Sequence, residues 1–290
     1  MKILKVPYTG NIKRIFKLIS LVPLFFGCED TVDVDVPESE PRLAIEASLD
    51  WEKGTQGNEQ QIRLSMTTPY FDNDQSTPVV GASIQVINVD TEELFVFGHQ
   101  GNGIYATDEF VPRLNNSYRL EVTYDNEIYL AEERLHSVVD IDELAQSREN
   151  GFDDDLLELN IYFTDPEDEV NFYIIWCQSN SDLFPFLFDF DDEFVNGNQI
   201  HFTYEKSDDP DNGQFPFEPG ETAWVRLLGV SERYHDYMGL LISQSGTGGN
   251  PFGAVPATLR GNIVNTTDQD HYALGYFRVA QVATGLYTFE

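Results

Sequence analysis

Tyr118-Arg119-Leu120-Glu121-Val122-Thr123-Tyr124 alternates large apolar or aromatic side chains with polar ones. A period of two is that of a strand with one face buried and one in water. The pattern extends outward on both sides. Ile62, Leu64 and Met66 alternate with Gln61, Arg63, Ser65 and Thr67, and Ile84 and Val86 with Ser83 and Gln85. Turn-forming residues separate the runs: Pro78 and Gly81, Gly101-Asn102-Gly103, Asn115-Asn116, Asp125-Asn126. About seven short strands at this spacing predict an Ig-like β-sandwich over residues 41–137.

Residues 138–290 predict a second β-rich domain carrying one helix. His136 to about Gly151 reads as an acidic junction, with room for one or two helical turns. Strands are expected at Leu157–Phe163, Asn171–Gln178, Thr222–Val230 and Tyr272–Val282. The Asn171–Gln178 run is apolar on both faces, as a central strand is. Ser231 is placed to cap a helix reaching about Gln244. Tyr234, Tyr237, Met238 and Leu241 recur on it at spacings of three and four, which puts them on one face.

The beginning of the chain predicts export. Lys2, Lys5, Lys13, Arg14 and Lys17 precede a short apolar run, Leu18 to Phe26, and no acidic residue occurs before Cys28. This is the order of a secretory signal over residues 1–27, and the run is too short to span a membrane. Leu24-Phe25-Phe26-Gly27-Cys28 resembles a bacterial lipobox, with Phe25 where leucine is usual. Cys28 is the expected lipid attachment site, and several acyl chains on one cysteine hold a protein firmly. Glu29 and Asp30 resemble the acidic signal that sends Bacteroidota lipoproteins to the cell surface. Residues 28–40 read as an acidic tether ending near Pro37 and Glu40, and Asp30-Thr31-Val32 resembles an O-glycosylation motif.

Loss of the five basic signal residues from the 17 in the chain leaves 12 against 50 acidic residues, a net charge of −38. Such a surface repels nucleic acid. With Cys28 acylated, Cys177 has no partner for a disulfide and reads as a small buried hydrophobe.

No catalytic constellation is legible. His99, His136, His201, His235 and His271 form no zinc motif, and Ser245 lacks the first glycine of a nucleophile elbow. Asp208, Asp209 and Asp211 precede Gly213 as in a calcium loop, but Pro210 and the missing distal glutamate favour a turn. Phe184, Phe186, Phe188 and Phe190 recur at every second residue. They read as core packing or as an aromatic ridge for a partner or ligand.

Two resemblances follow. Pro78 to Val86, Gly103-Ile104-Tyr105 and Tyr118 to Val122 look like the transthyretin-like modules called carboxypeptidase regulatory-like domains, β-sandwiches without catalytic residues. Phe163-Thr164-Asp165-Pro166, Asn171-Phe172-Tyr173, Asp192-Glu193-Phe194 with Asn196-Gly197, Tyr234 and Tyr237, Asn250-Pro251-Phe252, Gly261-Asn262-Ile263 and Gly275-Tyr276-Phe277 occur in an order resembling the Bacteroidota lipoprotein family labelled domain of unknown function 4249. That family has no established activity, and its members commonly occur beside TonB-dependent outer-membrane receptors. The resemblance implies a non-catalytic, cell-surface, outer-membrane lipoprotein that partners such a receptor, with no cofactor besides its lipid. The alternatives are a surface glycan-binding or adhesion module and a carboxylate- or calcium-dependent hydrolase.

Overall fold

The alternation seen in the sequence is the burial pattern of the strands. In the computed structural model, Tyr118, Leu120 and Val122 are fully buried, whereas Arg119, Glu121 and Thr123 are only partly so. The structure describes residues 40–68, 77–167, 169–192, 197–209, 215–246 and 259–290. The signal sequence, Cys28, Glu29, Asp30 and the tether before Glu40 lie outside these residues.

The first half contributes β1 (Leu43–Glu52), β2 (Gln60–Met66), β3 (Thr77–Pro78), β4 (Ser83–Asn88), β5 (Leu94–Gly101), β6 (Ile104–Thr107), β7 (Ser117–Tyr124) and β8 (Glu127–Arg134). The two-residue turn between β7 and β8 is Asp125-Asn126, both at positive φ (48° and 64°). That conformation matches the twist of a hairpin, and Asn and Asp tolerate it. β5 joins two layers: Leu94 to Phe97 pair with β4, and from Gly98 the strand pairs with β6, across a bulge between His99 and Gly101. The sheet thereby folds over one core, which includes Ile45, Leu49, Ile62, Leu64, Val86, Tyr105, Leu120 and Val122.

The second half contributes β9 (Glu143–Ser147), β10 (Glu158–Thr164), β11 (Phe172–Ser179), β12 (Phe186–Asp191), β13 (Gln199–Glu205), β14 (Thr222–Val230), helix α1 (Glu232–Gly246), β15 (Val264–Asn265) and β16 (Leu274–Thr288). β13, β10 and β9 form a three-stranded sheet. It packs over β11 and β14 around a second core of Leu159, Ile161, Phe163, Tyr173, Ile175, Val225 and Leu227. The junction expected to be irregular or helical contains β9, whose Leu144 and Ala145 pair with Ile161 and Asn160. Sheet pairing and packing on the second core override its weak local preference.

A division at residues 137 and 138 does not separate two independent bodies. Residues 40–290 form one compact unit. β16 runs parallel to β1, with Ala44 opposite Leu274, and antiparallel to β14. Phe277 and Val279 of β16 lie in the first core, while Ala283, on the same side of the strand, lies in the second. Gln281 sits between them and accepts the Val138 N–H (3.1 Å). The other side of β16, Tyr276, Ala280 and Val282, packs with Tyr234 and Met238 of α1. Hence β16 is buried on both sides, as an inner strand is. Gly275 has φ +103°, and a Cβ there would collide with the Ile45 carbonyl, so glycine permits the close approach to β1.

The helix begins where expected. Ser231 Oγ accepts the Tyr234 N–H at 3.2 Å, a capping bond to an otherwise orphan donor. Leu241 is exposed, and Ile242 packs on the helix cluster instead.

Candidate functional site

The Phe184–Phe190 run divides between interior and surface. β12 pairs antiparallel with β11, which sets Phe186 opposite Cys177, Phe188 opposite Ile175 and Phe190 opposite Tyr173. All three partners belong to the second core, and Phe186 and Phe190 pack against it. Phe186 stacks on Tyr204 with centroids 4.2 Å apart, Phe188 lies 4.8 Å from Phe202, and Phe190 meets Phe163 and Tyr173. Phe184 precedes the strand and escapes its alternation. It is 82% exposed, beside Leu183 at 89% and Phe215 at 56%. The run thus does both: Phe186 and Phe190 pack on the second core, while Phe184 and, at 37%, Phe188 are exposed. Large apolar side chains gathered in water usually mark a contact surface.

These residues surround a cleft of about 520 Å³ lined by Leu183, Phe184, Pro185, Phe186, Tyr204 and Phe215, with Asp182, Glu205 and Lys206 beneath. That volume falls within the range of ordinary ligand pockets. Lys206, not among the residues the sequence suggested, is buried at the floor. Its Nζ donates to Ser179 Oγ (2.8 Å), Ser181 Oγ (3.1 Å), Asp182 Oδ1 (2.8 Å) and Glu221 Oε1 (2.8 Å). It also lies 4.4 Å from the centre of the Phe217 ring. Burial pushes the Glu221 carboxyl up, but hydrogen bonds from Lys206, the serine hydroxyls and the Glu218 N–H outweigh it and hold the group at about 2. With four acceptors around three N–H groups, Lys206 is saturated. One cation between two carboxylates leaves the floor net negative. The cleft therefore suits apolar groups and positive charge, not anions.

A second cluster joins three motifs quoted from the sequence. Asp165, at the end of β10, and Asp192, just past β12, are 3% and 0% exposed. Asp165 accepts from Tyr173 Oη (2.6 Å) and Gly197 N–H (3.3 Å), and Asp192 Oδ1 accepts from Asn171 N–H (3.0 Å). Asp192 Oδ2 has no donor. Burial, then the neighbouring Asp165 carboxyl, raise Asp192 to about 6, so the pair shares a proton in mild acid. Because the folded value lies above the ordinary 3.8, this stabilisation is full below about pH 4. It is lost as pH rises through about 6. Asp192→Asn is expected to raise Tm at pH 8 by about 2–4 °C and to flatten the Tm profile between pH 5 and 8. Thermal unfolding across that range checks it, and an unchanged profile would exclude the shared proton.

The remaining candidates are scattered. Cys177 is buried, and burial pushes its thiol pKa up. Asp208 is exposed and Asp209 partly buried. Among the described residues neither joins a third metal-ligating side chain, and Asp211 lies outside them. His201 stacks on Tyr162 and bonds Asn160. His99 packs beside Tyr105, and His235 beside Phe172. Ser245 Oγ donates to the Ile242 carbonyl of its own helix. Among the described residues no helix is long and apolar enough to cross a membrane.

Gly261-Asn262-Ile263 and Gly275-Tyr276-Phe277 also interlock. The buried Asn262 amide donates to the Phe277 carbonyl and accepts its N–H, both at 2.8 Å, in the manner of a strand neighbour.

No curated protein matches the chain. Similar solved structures include a DUF4785 family protein from Legionella pneumophila, 10% identical over 66% of this chain and 53% of that one, with a TM-score of 0.26. This chain thus spans about half the length of the Legionella protein. A DUF3823 family protein from Parabacteroides merdae is 10% identical over 67% of this chain and 92% of that one, with a TM-score of 0.23. A two-domain fibronectin type III segment of chicken tenascin is 10% identical over 66% and 91%, with a TM-score of 0.21. A family model described as domain of unknown function (DUF4249) matches residues 29–285, and the chain belongs to that family.

Proposed function

We propose that this chain is a lipid-anchored protein of the outer-membrane surface that acts, without catalysis, as a partner of a TonB-dependent receptor, and that the aromatic cleft is its contact. The exposed cluster of Leu183, Phe184 and Phe215 around a formed cleft carries this reading. Exposed aromatics over a rigid, closed floor suit docking, since little order is lost on binding. The saturated Lys206 has no free donor or lone pair to offer a reaction. The basic start, the short apolar run and Cys28-Glu29-Asp30 support the anchor and its surface address. The TonB-dependent receptor follows from the genomic company that members of the resembled family keep.

The anchor has a direct test. The intact protein is expected to fractionate with outer membranes and to be removed from whole cells by protease shaving. Cys28→Ala is expected to abolish that partitioning almost wholly, because the acyl chains on Cys28 supply the membrane anchor. A Cys28→Ala protein still held in the outer membrane would sink the anchor.

A further inference from the structure

Glu127 opens β8, and Asp268 and His271 lie on the loop between β15 and β16. That loop is tied down from within. Asn265, 1% exposed, accepts from Thr267 N–H (2.9 Å) and Asp268 N–H (3.0 Å) and donates to the His271 carbonyl (2.9 Å). Thr266 donates twice to the Ile128 carbonyl, and Ile128 N–H donates to Thr267 Oγ1. The loop and the start of β8 are therefore held in fixed register.

Three side chains converge as a result. His271 Nδ1 lies 2.9 Å from Glu127 Oε1 and 3.8 Å from Asp268 Oδ2, and one ligand atom from each residue falls within 4.8 Å of the others. Tyr129 Oη donates to Glu127 Oε2 at 2.5 Å, which leaves Oε1 facing inward. The other imidazole nitrogen, Nε2, is 4.0 Å from Glu40 Oε2. In the tautomer with the proton on Nε2, the Nδ1 lone pair is directed at two carboxylates. With Nδ1 protonated the group is satisfied by its 2.9 Å hydrogen bond to Glu127; with Nδ1 unprotonated a cation at the centre takes the proton's place. Tetrahedral Zn²⁺, with N and O ligands at about 2.0–2.2 Å, spaces its ligand atoms roughly 3.4 Å apart. That spacing lies between the two separations seen here. A cavity of about 260 Å³, lined by Glu127, His271, Arg42 and Tyr272 among others, adjoins the cluster and leaves room for water or a further ligand. Arg42 is turned aside, with its guanidinium 3.8 Å from the centre of the Tyr272 ring and Nη1 donating to the Asp270 carbonyl.

We infer that Glu127, Asp268 and His271 form a binding site for a divalent transition metal of the Zn²⁺ type, open on one side and independent of the aromatic cleft. Imidazole together with carboxylate favours Zn²⁺ over Ca²⁺ and Mg²⁺. Calorimetry of the purified, metal-stripped full chain with Zn²⁺ is expected to show one equivalent bound with micromolar Kd. Co²⁺ is expected to give the visible absorption of a tetrahedral centre. His271→Ala should weaken Zn²⁺ binding by about 100-fold or more. Since His271 is exposed, His271→Ala is expected to keep the Tm of the metal-free protein. Two results would overturn the site. One is equal Zn²⁺ affinity in wild type and His271→Ala. The other is no binding to wild type at all, with the His271 ring behaving as a plain ion pair to Glu127.

Discussion

Lys206→Met is expected to lower stability at pH 7 by about 3–5 kcal/mol, the cost of leaving buried charge without its partner. Methionine keeps the aliphatic stem against Phe217 but removes the ammonium from Asp182, Glu221, Ser179 and Ser181. The Asp182 and Glu221 side chains are 17% and 7% exposed, so water recovers little of the loss. For a chain of this size the corresponding fall in Tm is on the order of 10 °C. Adding Glu221→Gln to Lys206→Met should restore part of it, because one uncompensated charge disappears. The cluster's contribution is present above the ordinary glutamate value of 4.5 and is lost only as pH falls through about 2, where the folded-state group takes its proton. Thermal unfolding followed by circular dichroism reads all of this. A loss under about 1 kcal/mol, the scale of surface ion pairs, would mean that the cluster is solvated.

The second large effect separates binding from stability within one stretch of sequence. Leu183→Ser, Phe184→Ser and Phe215→Ser together are expected to leave Tm nearly unchanged, because these side chains bury little surface in the fold. Partner affinity should fall by about 100-fold or more, the sum of a few aromatic or aliphatic anchors at about 1–2 kcal/mol each. Phe190→Ala should do the reverse. Its ring packs on Phe163 and Tyr173, so it costs about 2 kcal/mol of stability, less than a fully buried phenylalanine, and leaves the cleft in place. The net charge of −38 left after signal removal gives binding a further signature. Association with a basic partner surface slows as salt rises, while the apolar anchors set dissociation.

Local chemistry was legible in the sequence, and long-range pairing was not. The Tyr118–Tyr124 alternation, the Asp125-Asn126 turn and the Ser231 cap are each written in a few adjacent residues. The parallel pairing of Ala44 with Leu274 is not, since any apolar strand with two buried faces reads alike. The division at residue 137 misses it for that reason. β9 was obscured because Glu143 to Ser147 has little β-branched or apolar content of its own. The four phenylalanines suggested one face because the period was right. The strand begins at Phe186, however, and Phe184 lies outside it. Asp165 and Asp192 were visible as motif residues, but among so many acids nothing marked them as a pair. Lys206 carried one faint signal, a lone base within Glu205-Lys206-Ser207-Asp208.

Capture from outer membranes tests whether the cleft joins this protein to a TonB-dependent receptor. Tagged protein is extracted from outer membranes in mild detergent and captured, once as wild type and once as the Leu183→Ser, Phe184→Ser, Phe215→Ser variant. A TonB-dependent receptor is expected in near-equal amount with the wild type and is expected to be lost from the variant. Recovery of the wild-type protein alone, from membranes with native receptor levels, would contradict it.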